Sequence, residues 1–72
     1  MSEKFLSPKE IAALLGISMA TVNYYTNIGL FQPKERKGNM RLYSRADILR
    51  DFSKIKRLRQ EGYSLKLIAR HL

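Results

Sequence analysis

Four short apolar stripes run along the chain at helical spacing, each preceded by a serine and the first three followed by a glycine stop. In the first, Ile11, Leu14 and Leu15 recur with the period of a helix and form its core stripe. Ser7-Pro8-Lys9-Glu10 predicts its start. Ser7 caps, Pro8 takes the first helical position where no amide is needed, Glu10 completes a capping box, and Leu6 staples to Ile11 across it. Ala12 and Ala13 are small enough to let another helix approach, and Gly16 ends the segment. Only Gly16-Ile17 lies before the next cap, Ser18. Two helices joined by a tight glycine-containing turn predict a helix-turn-helix unit.

In the second segment Ile17 and Val22 repeat the staple, Val22, Tyr25 and Ile28 continue the inward face, and Gly29 supplies a left-handed stop. The stretch from Ser18 to Ile28 holds no charged residue. Thr21, Asn23, Tyr24, Tyr25, Thr26 and Asn27 supply hydroxyls and amides, which read hydrogen-bond patterns without the pull of a full charge. Thr21, Asn23, Tyr24 and Asn27 fall on the outward arc. Taken alone, the segment fits a recognition helix and a buried or half-buried helix with neutral polar residues equally well.

Leu30-Phe31 are expected to plug the core, and Pro33 forces an extended path. A two-stranded hairpin follows, with arms 34–37 and 40–43 around Gly38-Asn39. Alternation sets Met40 and Leu42 on one face and Arg41 and Tyr43 on the other. The third helix starts at the cap Ser44, with Asp47 in its first turn and a staple from Tyr43 to Ile48. Its stripe runs through Ile48, Phe52 and Ile55, joined by Leu49 and Leu58. Arg50, Lys54 and Arg57 form a solvated basic side, with Arg57 and Glu61 as a weak surface pair. Gly62 stops it, and Ser64 caps a last helix over 65–72, stapled by Tyr63 and Ile68. The helical pattern is still running at Leu72, which fits a compact stop or an excised fragment.

Composition narrows the function. The 72 residues are read as a single domain, 1–72, and a chain this short buries only about 60% of its unfolded surface. There is no cysteine, and the single histidine, His71, has no neighbouring ligands, so neither a metal nor another cofactor is expected. No membrane-spanning run and no secretory signal are present, so a soluble cytoplasmic protein is expected. The carboxylates are scattered, no nucleophile has a base beside it, and there is no phosphate loop, which argues against an enzyme. The charge is uneven. Residues 1–33 are neutral, whereas 34–72 hold twelve Lys or Arg against four carboxylates, the whole of the net +8. Such clustering points to a polyanion partner, nucleic acid before anionic membrane. Lys34, Arg36, Lys37 and Arg41 ride on the hairpin, which therefore reads as a cationic wing beside the helix-turn-helix. The expected fold is mainly α: a winged helix-turn-helix of four helices, with a two-stranded β-hairpin wing between helices two and three.

Within that fold the division of labour follows from side-chain chemistry. Asn23 pairs bidentately with the N6 and N7 edge of an adenine, and the methyls of Thr21 and Ala20 sense a thymine methyl. Arg36, Lys37 and Arg41, with Lys34, neutralise phosphates. With Ser18 at the cap and Tyr24 on the outward arc, the candidate set is Ser18, Ala20, Thr21, Asn23, Tyr24, Arg36, Lys37 and Arg41.

The run Thr21-Val22-Asn23-Tyr24-Tyr25, then Ile28-Gly29-Leu30-Phe31-Gln32-Pro33, then Gly38-Asn39-Met40-Arg41-Leu42-Tyr43-Ser44, with the Gly62-Tyr63-Ser64 bend, resembles the signature of the MerR family of bacterial transcription regulators. The resemblance covers nearly all of the chain. It implies sequence-specific binding of double-stranded DNA, with helix two in the major groove and the wing on the flanking phosphates. Thr21, Tyr24 and Arg41 match contact positions. Asn23 stands where the family usually has arginine, and Met40 where it often has an aromatic residue, which implies a different operator. Full-length members dimerise through a long following helix and sense an effector there. A homodimer is therefore expected for a full-length protein, and a monomer binding a half-site weakly for this chain. The alternatives are an excisionase-like architectural DNA-binding factor, and a protein-interaction adaptor docking through helix two.

Overall fold

The computed structural model describes residues 4–71. In order these form β1 (Phe5–Leu6), α1 (Pro8–Leu15), α2 (Met19–Asn27), β2 (Glu35–Lys37), β3 (Met40–Ser44), α3 (Arg45–Gln60) and α4 (Leu65–His71). The four predicted helices are all present; Leu72, assigned to the last of them, lies outside the described residues. Their starts follow the serines. Ser7, Ser18, Ser44 and Ser64 each accept, through Oγ, the backbone N–H three residues on, at 3.0 to 3.2 Å. Gly16 closes α1 at φ 69°, a backbone that an L side chain adopts only with strain.

The wing departs from the predicted hairpin in one respect. β3 pairs antiparallel with β2 along its outer half, Glu35 opposite Leu42 and Lys37 opposite Met40. Along its inner half it pairs with β1, Phe5 opposite Ser44 and Leu6 opposite Tyr43, so the sheet has three strands in the order β1-β3-β2. The Arg45 N–H, donating to the Lys4 carbonyl at 2.9 Å, extends that seam. A two-residue strand has too few positions to show alternation, and its partner is some 40 residues away in sequence, so local pattern does not reveal it. At the tip Gly38 has φ 61° and Asn39 does not share the positive φ, which is the glycine-first turn that matches strand twist.

Leu6, Ile11, Val22, Leu30, Phe31, Tyr43, Ile48, Ile55 and Ile68 form one buried cluster, drawn from every element except β2. Leu30 and Phe31 plug it as predicted, and Tyr25 packs edge-on against Phe31 with ring centroids 5.3 Å apart. Several apolar positions lie further out than predicted. A helix of eight residues presents a single inward stripe, which Ile11 and Leu15 occupy; Leu14 is 38% exposed, and Ala13 also faces solvent. Leu49 on α3 and Tyr63 in the connection between α3 and α4 are likewise exposed. The Arg57–Glu61 pair does not form among the described residues. A carboxylate at the end of a helix faces its negative pole, and the order Arg before Glu is the weaker one. The ion pairs gather on Asp47 and Asp51 instead: Lys34 to Asp47 at 3.3 Å, Arg50 to Asp47 at 3.2 Å, and Arg50 to Asp51 at 3.3 Å.

The capping box of α1 carries a pH signature. Hydrogen bonds from the Ser7 backbone N–H, 3.0 Å from Glu10 Oε1, and from the Ser7 hydroxyl hold the Glu10 carboxyl below its ordinary value. A lowered folded-state pKa means that the stabilisation is complete above the ordinary glutamate range and disappears as pH falls through the folded value. The urea midpoint of the wild-type domain is thus expected to fall more on acidification than that of Glu10→Gln. Parallel pH profiles would show that the box contributes nothing.

Candidate nucleic-acid interface

Helix α2 is capped through its own first turn. Ser18 Oγ accepts the Thr21 N–H at 3.0 Å and lies 2.9 Å from the Thr21 hydroxyl, so the two side chains hold each other at the N-terminus. Val22 is fully buried, and Tyr25 and Ile28 are half-buried against the core. Ser18, Ala20, Asn23 and Asn27 are exposed, Tyr24 is 45% exposed, and Thr21 is half-buried. The uncharged face is therefore open to solvent, which removes the sealed-helix reading that the sequence left standing.

Thr26 is the exception among the polar residues of this helix. Counted among the hydrogen-bonding groups of the segment but not on its outward arc, it points inward in the structure. Its hydroxyl donates to the Val22 carbonyl at 2.9 Å and lies 2.7 Å from the Tyr43 hydroxyl. Since the one Thr26 proton goes to Val22, Tyr43 donates to Thr26. Tyr43 is 0% exposed, and a buried phenol needs such a partner. The chain Tyr43 to Thr26 to Val22 ties β3 to α2. The phenol is encoded in the alternation of β3, but burial of that face is decided by the helices packed against it.

Arg41 shares the Tyr43 face of β3. Together with Arg36 it lines an open cleft of about 510 Å³ between the wing and the two helices, and Asn23 lines the same cleft from α2. The structure thus brings Asn23, Arg36 and Arg41 together from α2, β2 and β3. Ser18, Ala20, Thr21 and Tyr24 lie elsewhere on or beside α2, and Lys37 is exposed at the end of β2. Lys34 is engaged with Asp47, so its charge is partly compensated at the base of the wing. Sequence reasoning missed Lys9, Met19 and Asn39, which also line the cleft, and it gave Ser7 and Pro8 only their capping roles. No periodicity within α1 announces Lys9; only the docking of β3 beside that helix does.

Comparison with known proteins bears on the family and the fold. The profile of the MerR HTH family regulatory proteins matches residues 6–72. The HTH-type transcriptional regulator CueR of Bacillus subtilis (strain 168) is 50% identical over 34 residues, which is 47% of this chain and 24% of that protein. Among solved structures, HiNmlR, a MerR family regulator lacking the sensor domain and bound to promoter DNA, superposes with a TM-score of 0.79 at 28% identity, over 94% of this chain and 54% of that one. A MerR family transcriptional regulator from Bacillus cereus gives 0.75 at 25% identity, over 93% of this chain and 50% of its own. The chain therefore spans about half the length of the solved relatives. With nearly all of its residues inside the family profile and the same winged architecture, this chain belongs to the MerR HTH family.

Proposed function

We propose that residues 1–72 form one sequence-specific double-stranded DNA-binding domain of a bacterial transcription regulator, with α2 in the major groove and the wing on the flanking phosphate backbone. The observation that carries this reading is the cleft in which Asn23 from α2 meets Arg36 and Arg41 from the wing. A neutral hydrogen-bonding group is thereby set where base edges lie, with cations where phosphates lie. The likeness to a family member solved on promoter DNA supports it.

Ser18, Ala20, Thr21, Asn23 and Tyr24 act at the groove, and Arg36, Lys37 and Arg41 on the backbone. The domain is assigned no reaction, and its action is cytoplasmic; among the described residues no helix is long and apolar enough to cross a membrane. A full-length protein acts as a homodimer on paired half-sites, whereas the 72-residue chain sediments as a monomer at micromolar concentration. Selection from randomised duplexes tests the reading. It is expected to enrich a short half-site with an adenine at the Asn23 position, and recovery of sequences with no common element would sink it.

A further inference from the structure

The walls of the wing cleft belong to α1, α2, β2 and β3, and the first of these has no part in the function proposed above. Lys9 of α1 lines it together with Arg36 and Arg41, and no carboxylate does. Among the described residues none of these three cations has an ion-pair partner, in contrast to Lys34 and Arg50. Their acidic neighbours in sequence do not pair with them: the Glu10 carboxylate accepts the Ser7 N–H, and alternation sets Glu35 on the face of β2 opposite that of Arg36. The same cleft holds two exposed thioether side chains, Met19 at 47% and Met40 at 42%.

Cations alternating with flexible apolar side chains suit a ligand that alternates anionic and apolar units. An inorganic anion or an acidic peptide side chain would satisfy the cations and leave the methionines wet. A sugar-phosphate strand satisfies both, since methionine adapts to irregular apolar surfaces such as the deoxyribose edge. We propose that this cleft seats the backbone of one DNA strand, with Lys9 contacting phosphate from the helical wall, Arg36 and Arg41 from the wing wall, and Met19 and Met40 packed on the sugars. The proposal rests on the DNA-binding reading and adds α1 to it, in the half of the chain whose formal charge is zero. Asn23, in the same cleft, then meets the bases next to the seated strand.

The test is fluorescence anisotropy with the selected duplex at several salt concentrations, on wild type and on Lys9→Ala, Arg41→Ala, Lys56→Ala and the double variant Met19→Ser/Met40→Ser. All change exposed or half-exposed side chains, and circular dichroism verifies the fold. Each phosphate contact contributes about 0.9 to the slope of log affinity against log salt. Lys9→Ala and Arg41→Ala should each reduce the slope by about that much, so that the affinity lost between 50 and 200 mM salt shrinks about 3-fold for each. Lys56, which sits over the Phe52 ring on α3, is the control and should leave the slope unchanged. The methionine variant should bind several-fold more weakly at an unchanged slope. If Arg41→Ala lowers the slope and Lys9→Ala does not, the seated strand is overturned while the interface stands. If the methionine variant binds like wild type, the sugar contact is overturned. If neither cation matters, or an acidic peptide competes as well as DNA, the DNA reading itself fails.

Discussion

Replacing Tyr43 with alanine is expected to leave most of the domain unfolded at 25 °C. Tyr43 is fully buried, and truncating a buried aromatic side chain costs about 3–5 kcal/mol. At about 0.05–0.15 kcal/mol per residue, the whole stability of a chain this length is of comparable size. Finer substitutions separate packing from hydrogen bonding. Tyr43→Phe keeps the ring and removes one donor, while the Thr26 hydroxyl still donates to the Val22 carbonyl, so the cost is about 1 kcal/mol. Thr26→Val is isosteric but strands the Tyr43 hydroxyl in the interior without an acceptor, which costs about 1–3 kcal/mol. Urea unfolding followed by circular dichroism should therefore rank the variants Tyr43→Phe, Thr26→Val, Tyr43→Ala in increasing damage. Thr26→Val proving as mild as Tyr43→Phe would mean that the buried phenol has another acceptor.

The second large effect lies in binding, and it takes two contrasting forms. Arg41→Ala removes a phosphate contact, so affinity for every duplex should drop by a similar factor and the salt slope should flatten by about one unit. Asn23→Ala removes a base reader without charge. It should leave the slope alone and erase a preference of about 1–3 kcal/mol at a single base pair. The two variants thus distinguish holding from reading, since each moves the observable that the other leaves fixed. A protein-docking role for α2 predicts something different: partner capture surviving Arg41→Ala and Lys37→Ala while DNA binding is already absent in the wild type. Asn23→Ala with full discrimination at every position would remove Asn23 from the reading surface.

Much of this architecture is legible in the sequence because its signals are local. A capping serine acts on an amide three residues away, a glycine acts on its own φ, and the Gly38-Asn39 turn needs no distant partner. Features that depend on what docks from afar are not legible. Phe5–Leu6 is a strand only because Tyr43–Ser44 is there to pair with it, and Thr26 turns inward only because the Tyr43 phenol waits there. Leu14 and Leu49 fit a helical stripe equally well buried or exposed, and the small core covers neither of them fully. At the interface, residue chemistry pointed to Asn23, Arg36 and Arg41, whereas Lys9, Met19 and Asn39 required the fold, because α1, α2 and the wing meet there.

The split pairing of β3 has a consequence for how such a domain changes over generations. Its inner half is committed, since Tyr43 and Ser44 are buried and hydrogen-bonded to the first strand. Its outer half and β2 carry no fully buried side chain, and the tip beyond them is open. Replacements at 36, 37, 39 or 40 can accumulate almost free of any folding penalty, and loop insertions at the tip should be tolerated as well. Retuning the grip on DNA is then a short mutational walk, available to a laboratory library as readily as to natural drift, while the scaffold beneath stays as it is.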